Sequence, residues 1–301
     1  MRILVIGGTR FIGPYVTREL MESGHEITVF HRGGSEAVLP AGVRHIRSPD
    51  AAMPVCRFPV EVLEFAPEVV IHMIPMGEPD TRAAVASFTG LAQRLICLSS
   101  GDVYRAYGRF TGLEPGPVEP GLLTEDSPLR SVLYPYRAKA RSMAALEYYY
   151  EKILVERIAL QAKVLPAAIL RLPKVYGPGD NADLATVRRF RERGQWRWTH
   201  GYVENVAHAI ALAALHPRAP NRIYNVGEEF TPTVAERMEL LSDLTDPTRF
   251  PPVVRPAEEN FAQDIAYDTT RIREELGYRE LVGYEEGIRR SLAARHHTQS
   301  V

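Results

Sequence analysis

The chain has 301 residues, 45% of them apolar and 24% charged, with a formal net charge of −1. That length supports one large domain or two unequal ones, and the near-neutral balance gives no global field for nucleic acid or an anionic membrane. Cys56 and Cys97 stand far apart and in no metal spacing, so a disulfide framework is excluded and a reducing, cytoplasmic setting is expected.

In chain order, the apolar run at 2–7 reads as a buried strand, too short for a signal peptide. Residues 11–23 carry apolar positions at helical spacing, and 25–32 and 43–47 read as strands. A short helix at 59–67 ends on Pro67. It is followed by a strand at 68–75, a helix at 80–92 and a strand at 94–100, which holds Cys97 as a buried free thiol. Prolines crowd 115–135, which reads as a long loop, as does 247–256. A long helix is expected over 136–161, then a strand at 166–172. Beyond it come a helix at 202–215, a strand at 222–227, a helix at 233–244 begun by a Thr cap, and a helix at 284–296. His296 and His297 read as terminal residues and no metal site is expected. No apolar stretch reaches membrane-spanning length. Strands alternating with helices predict an α/β fold, a Rossmann-type doubly wound parallel sheet. The expected division is a dinucleotide-binding domain over 1–172 and a small α/β substrate-binding lobe over 173–301, parts of which return to the first.

The turn "VIGGTRFIG" sets Gly7, Gly8 and Gly13 between the first strand and the first helix. Glycine there allows a tight turn, close approach of backbone N–H groups to a pyrophosphate, and close packing of helix on strand. Thr9, Arg10, Phe11 and Ile12 complete the cradle, and the helix N-terminus favours the anion. The second strand ends in His31 and Arg32 where an enzyme preferring NAD commonly has an acid. With Arg10 nearby, two guanidiniums and no carboxylate favour NADP(H), with NAD(H) as the alternative.

The segments "GGTRFIG", "LSSGDVY", "YYYEK", "RLPKVYGPGD" and "YVENVAHAI" occur in one order along nearly the whole chain. In that order they resemble the extended short-chain dehydrogenases/reductases, of the nucleotide-sugar epimerase/dehydratase branch and an atypical subgroup of it. The resemblance implies hydride transfer at a hydroxyl or carbonyl carbon of a sugar-like or other polar small molecule. It pairs a tyrosine with a lysine four residues later on one helix face, a spacing met by Tyr148 and Lys152. An ammonium beside a phenol favours phenolate, so Tyr148 is expected as general acid/base, with Lys152 also on the ribose hydroxyls. In "LSSGDVY" the family serine lies four residues before the tyrosine of that segment, Tyr104, which selects Ser100 as the expected hydrogen-bond donor to the substrate oxygen. The same resemblance puts Ile74, Pro75, Ser99, Pro173 and Val175 on the cofactor, puts Asp102, Tyr104, Tyr176 and Arg197 on the substrate, and implies a homodimer.

Several features depart from that pattern. The segment from Ser100 to Tyr148 is long and reads as a lid or specificity loop. Ile74 and Pro75 alter the nicotinamide wall, and the region 180–200 is short for a second nucleotide. Asp102 has no adjacent Glu, which disfavours dehydration. The arginines at 188, 189, 191, 193 and 197 surround Trp196 and Trp198. They read as a solvated surface over packed tryptophans, ahead of a substrate-anion grip or RNA contact. A nucleotide-sensing or RNA-binding relative without chemistry is the alternative function.

Overall fold

The computed structural model describes residues 1–33, 39–48, 50, 52–179, 187, 190–244 and 259–298. Seven parallel strands form one sheet. They are β1 (Arg2–Ile6), β2 (Glu26–His31), β3 (Arg44–Arg47), β4 (Val69–His72), β5 (Arg94–Ser100), β6 (Ala167–Leu172) and, after a separate pair, β9 (Arg222–Asn225). Their spatial order is β3-β2-β1-β4-β5-β6-β9. The sheet is built from runs such as Ile3, Leu4, Val5 and Ile6, all fully buried. Such continuous apolar strands suit a sheet covered on both faces. Cys97 lies in the middle of β5, its thiol pushed up to about 12 by burial.

One face is covered by α1 (Ile12–Glu22) and α7 (Val203–Leu215), whose Val16, Leu20, Val206 and Ile210 join the core there. The other is covered by α2 (Val60–Glu64), α3 (Glu78–Phe88) and α6 (Lys152–Gln161). The strand order reverses between β1 and β4, which places a crevice at the carboxyl ends of those strands. A two-stranded parallel pair, β7 (Lys174–Tyr176) and β8 (His200–Tyr202), follows β6. The helix α4 (Arg105–Phe110) packs with Phe190, Trp196, Val234 and Ile265 in a third apolar cluster. The remaining helices are α8 (Val234–Leu244), α9 (Thr270–Leu276) and α10 (Tyr284–Thr298). The expected Thr cap of α8 is Thr233, whose Oγ1 accepts from the Glu236 N–H while the Glu236 carboxylate accepts from the Thr233 backbone.

The long helix expected over 136–161 is not continuous. It consists of a single 3₁₀ turn at Arg137–Lys139, a one-turn helix α5 (Leu146–Tyr149), and α6, which starts at Lys152. The cause is Glu151. Its backbone N–H bonds the Met76 carbonyl at 2.8 Å rather than the preceding turn. Its side chain caps α6 by accepting from the Ile153 N–H at 2.9 Å. The same carboxylate pairs with Arg130 at 3.1 Å, both side chains fully buried, and also accepts from the Tyr134 N–H. Tyr150 and Glu151 are accordingly extended, with ψ of 111° and 93°.

Removing one partner of a buried pair leaves an uncompensated charge. Arg130→Met is therefore expected to cost about 3–5 kcal/mol of stability. Urea unfolding of the variant against the wild type measures it.

Candidate active site

The groove at the crevice has a volume of about 310 Å³ and is lined by the glycine turn from Gly7 to Ile12, by His31, Arg32 and Gly33, and by Met73, Ile74, Leu98 and Leu172. Gly7 and Gly8 take φ of 92° and 80°, a region that only glycine adopts without strain. A Cβ on Gly13 would lie 2.2 Å from the Gly8 carbonyl oxygen, so the helix start touches the turn backbone. These features fit a dinucleotide pyrophosphate by close backbone approach. At the end of β2 the His31 Nδ1 accepts from the Gly33 N–H at 3.1 Å. Its Nε2 then carries the proton and faces His45 Nδ1 at 3.2 Å. Burial, His45 and Arg47 hold His31 below the usual imidazole value. No carboxylate lines the groove among the described residues.

Lys152 stands at the inner end of the groove. Its Nζ donates to the Pro75 carbonyl and, at 3.1 Å, to that of Leu98; Ile74, which precedes Pro75, and Leu98 both line the groove. Burial lowers its proton affinity, opposed chiefly by Asp102 and Asp80. The broken helix separates Tyr148 from the lysine's face. The Tyr148 ring packs edge-on to Tyr149 and against the Arg137 guanidinium at 4.5 Å, while Arg137 Nε donates to its carbonyl. Tyr150 takes the inward place: its ring centroid is 5.4 Å from Lys152 Nζ, and its hydroxyl meets both Ser100 and Asp102. Its phenol is not activated toward phenolate. Burial and the Asp102 carboxylate hold it well above the ordinary tyrosine value.

Ser100 ends β5, and its hydroxyl accepts from the Asp102 N–H at 3.4 Å. Ser99 points the opposite way, donating to buried Glu156 at 2.6 Å, so it belongs to the core and does not line the groove. Asp102 is buried. The Tyr136 hydroxyl donates to its Oδ2 at 3.2 Å, and Arg130 Nε donates to its backbone carbonyl. Pro173 and Val175 also fall outside the groove lining; Val175 is in the core.

The expected substrate residues disperse. Tyr104 is fully buried with its hydroxyl on Asn225, pushed up to about 12 by burial. Tyr176 is packed among Tyr202, Tyr284 and His200. Arg197 donates to the Thr231 carbonyl at 2.6 Å and lies over Phe230. Trp196 is 2% exposed, stacks on Phe110 at 4.8 Å and donates to the Gln263 carbonyl. Its faces are taken by core packing, which leaves no platform there for a nucleic-acid base. Positions 188 and 189, and all of the short segment at 180–186, lie outside the described residues. No helix among the described residues is long and apolar enough to cross a membrane.

Sequence reasoning missed Tyr150, Tyr136, Arg130 and the groove residues Gly33, Met73, Leu98 and Leu172. The signal for Tyr150 was present in Glu151, a carboxylate placed to cap a helix beginning at the lysine.

Comparison with known proteins agrees with this architecture. The protein y4nL of Sinorhizobium fredii (strain NBRC 101917 / NGR234) is 25% identical over 93% of this chain and 85% of its own length. The UDP-glucose 4-epimerase of Thermotoga maritima, solved with UDP-glucose, superposes with a TM-score of 0.70 at 20% identity, covering 99% of this chain and all of that one. The dTDP-glucose 4,6-dehydratase of Bacillus anthracis, solved with NAD, gives 0.73 at 16% identity over 100% and 98% of the two chains. The family model for the NAD dependent epimerase/dehydratase family matches residues 3–80 and 81–227. With the doubly wound sheet and the glycine turn already in place, the chain belongs to that family of extended short-chain dehydrogenase/reductase enzymes.

Proposed function

We propose that this chain is an NADP(H)-preferring oxidoreductase or epimerase acting at a hydroxyl or carbonyl carbon of a sugar-like or other polar small molecule. Tyr150, rather than Tyr148, is its general acid/base. The observation that carries this reading is the meeting of the Tyr150 hydroxyl with Ser100, beside Lys152, at the inner end of the dinucleotide groove. A bound nicotinamide dinucleotide supplies or accepts the hydride. Ser100 orients the substrate oxygen, and Tyr150 moves its proton. The ammonium of Lys152 offsets negative charge that develops on the phenol. Arg10 and Arg32 would grip a 2′-phosphate with charge-assisted hydrogen bonds, at a corner where His31 offers no carboxylate to a 2′-hydroxyl. The Bacillus anthracis relative was solved with NAD; the reading of NADP for this chain rests on the residues at its own β2 end. A homodimer through helices flanking the site completes the reading.

Four tests follow from these roles. Denaturing the purified protein and identifying released nucleotide by mass spectrometry, then titrating NADPH and NADH, measures the preference. Arg32→Ala is expected to weaken NADPH about tenfold to a hundredfold and leave NADH nearly unchanged; equal losses would overturn the 2′-phosphate assignment. Gly13→Ala should abolish binding of both dinucleotides, since its methyl would occupy the Gly8 backbone. With turnover found on a panel of UDP-glucose, dTDP-glucose and simple polyols, Tyr150→Phe should lower kcat by about 10²–10⁴-fold. Tyr148→Phe should change it only a few-fold, and the reverse pattern would restore Tyr148 as the acid/base.

A further inference from the structure

Asp102 is a carboxyl that the roles above leave unused. It is only 4% exposed, on the 3₁₀ turn that follows β5. Its Oδ2 accepts from Tyr136 at 3.2 Å, and the Tyr150 hydroxyl lies against the same carboxyl. Its Oδ1 is buried and has no hydrogen-bond partner, which leaves an acceptor position open. The Tyr136 hydroxyl also meets that of Tyr107. The Tyr136 and Tyr150 rings pack at 5.2 Å, which fixes the two hydroxyls about one carboxyl. Tyr107 and Tyr136 are both partly exposed residues.

We infer that Asp102 is the immediate proton partner of Tyr150, and that Tyr136 and Tyr107 connect this carboxyl to solvent. The inference rests on Tyr150 being the acid/base proposed above. As a substrate hydroxyl carbon gives its hydride to the oxidised dinucleotide, the hydroxyl proton passes to the Tyr150 oxygen while the Tyr150 proton passes to Asp102. The O–H bonds broken are those of substrate and Tyr150; those formed are on Tyr150 and Asp102. Tyr150 ends unchanged and the Asp102 carboxylate has become a carboxylic acid. Re-reduction at the same carbon reverses the transfer, so a proton stored on Asp102 serves an epimerisation cycle without leaving. In net oxidation it leaves through Tyr136 and Tyr107, each hydroxyl passing on its own proton and receiving another.

Lys152 cannot take this part while charged, because an ammonium has donors and no acceptor. The groups facing Asp102 act in both directions. Burial lifts its carboxyl above the usual carboxylate range, Arg130 most strongly and Lys152 more weakly oppose that, and Tyr136 and Tyr150 donate to the ionised form. Burial first, and the charge of Asp102 after it, raise the phenols of Tyr107, Tyr136, Tyr150 and Tyr267.

The test uses full-length protein labelled with [ζ-¹³C]tyrosine, its resonances assigned with Tyr150→Phe and Tyr136→Phe. In wild type, Tyr150 should stay protonated through the range in which the protein is folded. Asp102→Asn keeps the shape and removes the charge, and should bring the ionisation of Tyr150 and Tyr136 down together. An unchanged Tyr150 titration in folded Asp102→Asn overturns the inference, while the turnover test of Tyr150→Phe stands independently. Tyr136→Phe gives a second reading by infrared titration of the Asp102 carboxyl. Loss of a donor to the ionised form should raise its midpoint, and an unmoved midpoint removes Tyr136 from the relay. Hydrogen–deuterium exchange of the protonated carboxyl should slow in Tyr107→Phe; an equal rate removes the outward path.

Discussion

One guanidinium holds the two halves of the site together. Arg130 binds the Glu151 carboxylate with its terminal nitrogens and the Asp102 backbone carbonyl with Nε. The first contact starts α6 at Lys152, and the second fixes the turn after β5 that carries Ser100 and Asp102. Burying such a pair carries a large desolvation cost. The carboxylate meets that cost with two further N–H donors, from Tyr134 and Ile153. The net contribution to stability can be small while the contribution to geometry is large. Without the pair, nothing obliges Tyr150 to leave the helical path and turn toward Ser100.

A second buried network fixes the strand ends on which the site stands. Glu156 of α6 accepts from Ser99 of β5 and from Arg171 of β6. Arg171 donates onward to the Glu125 carbonyl, and Glu125 accepts from the Asn225 backbone of β9. Adjacent residues of β5 therefore serve different ends: Ser99 locks three elements together, and Ser100 faces Tyr150. The groove itself needs little of this. It depends on the backbone of Gly7, Gly8 and Gly13 and on apolar side chains at the ends of β4, β5 and β6.

What the sequence disclosed divides along the same line. The strands, the glycine turn, the groove residues from Gly7 to Ile12 and the positions of His31, Arg32 and Ile74 were legible because each depends on local pattern. The tyrosine beside Lys152, which is Tyr150 and not Tyr148, was not. A spacing of four implies a shared face only in an unbroken helix, and the continuity of this one is decided by Arg130, 21 residues upstream, and by the Met76 carbonyl. Tyr104 and Tyr176 illustrate a related limit. Each sits next to a motif residue, yet both are buried aromatics whose hydroxyls find partners inside the protein. The aromatic–arginine segment carried the opposite lesson, since its packed reading is the one Trp196 follows.

The grip of the β4 and β5 ends on Lys152 sets an arithmetic of its own. An ammonium offers three N–H bonds, and the carbonyls of Pro75 and Leu98 engage two of them. A single donor remains for everything else near the end of the groove. The two contacts proposed for Lys152, a ribose hydroxyl and the phenolic oxygen, would therefore draw on that one donor.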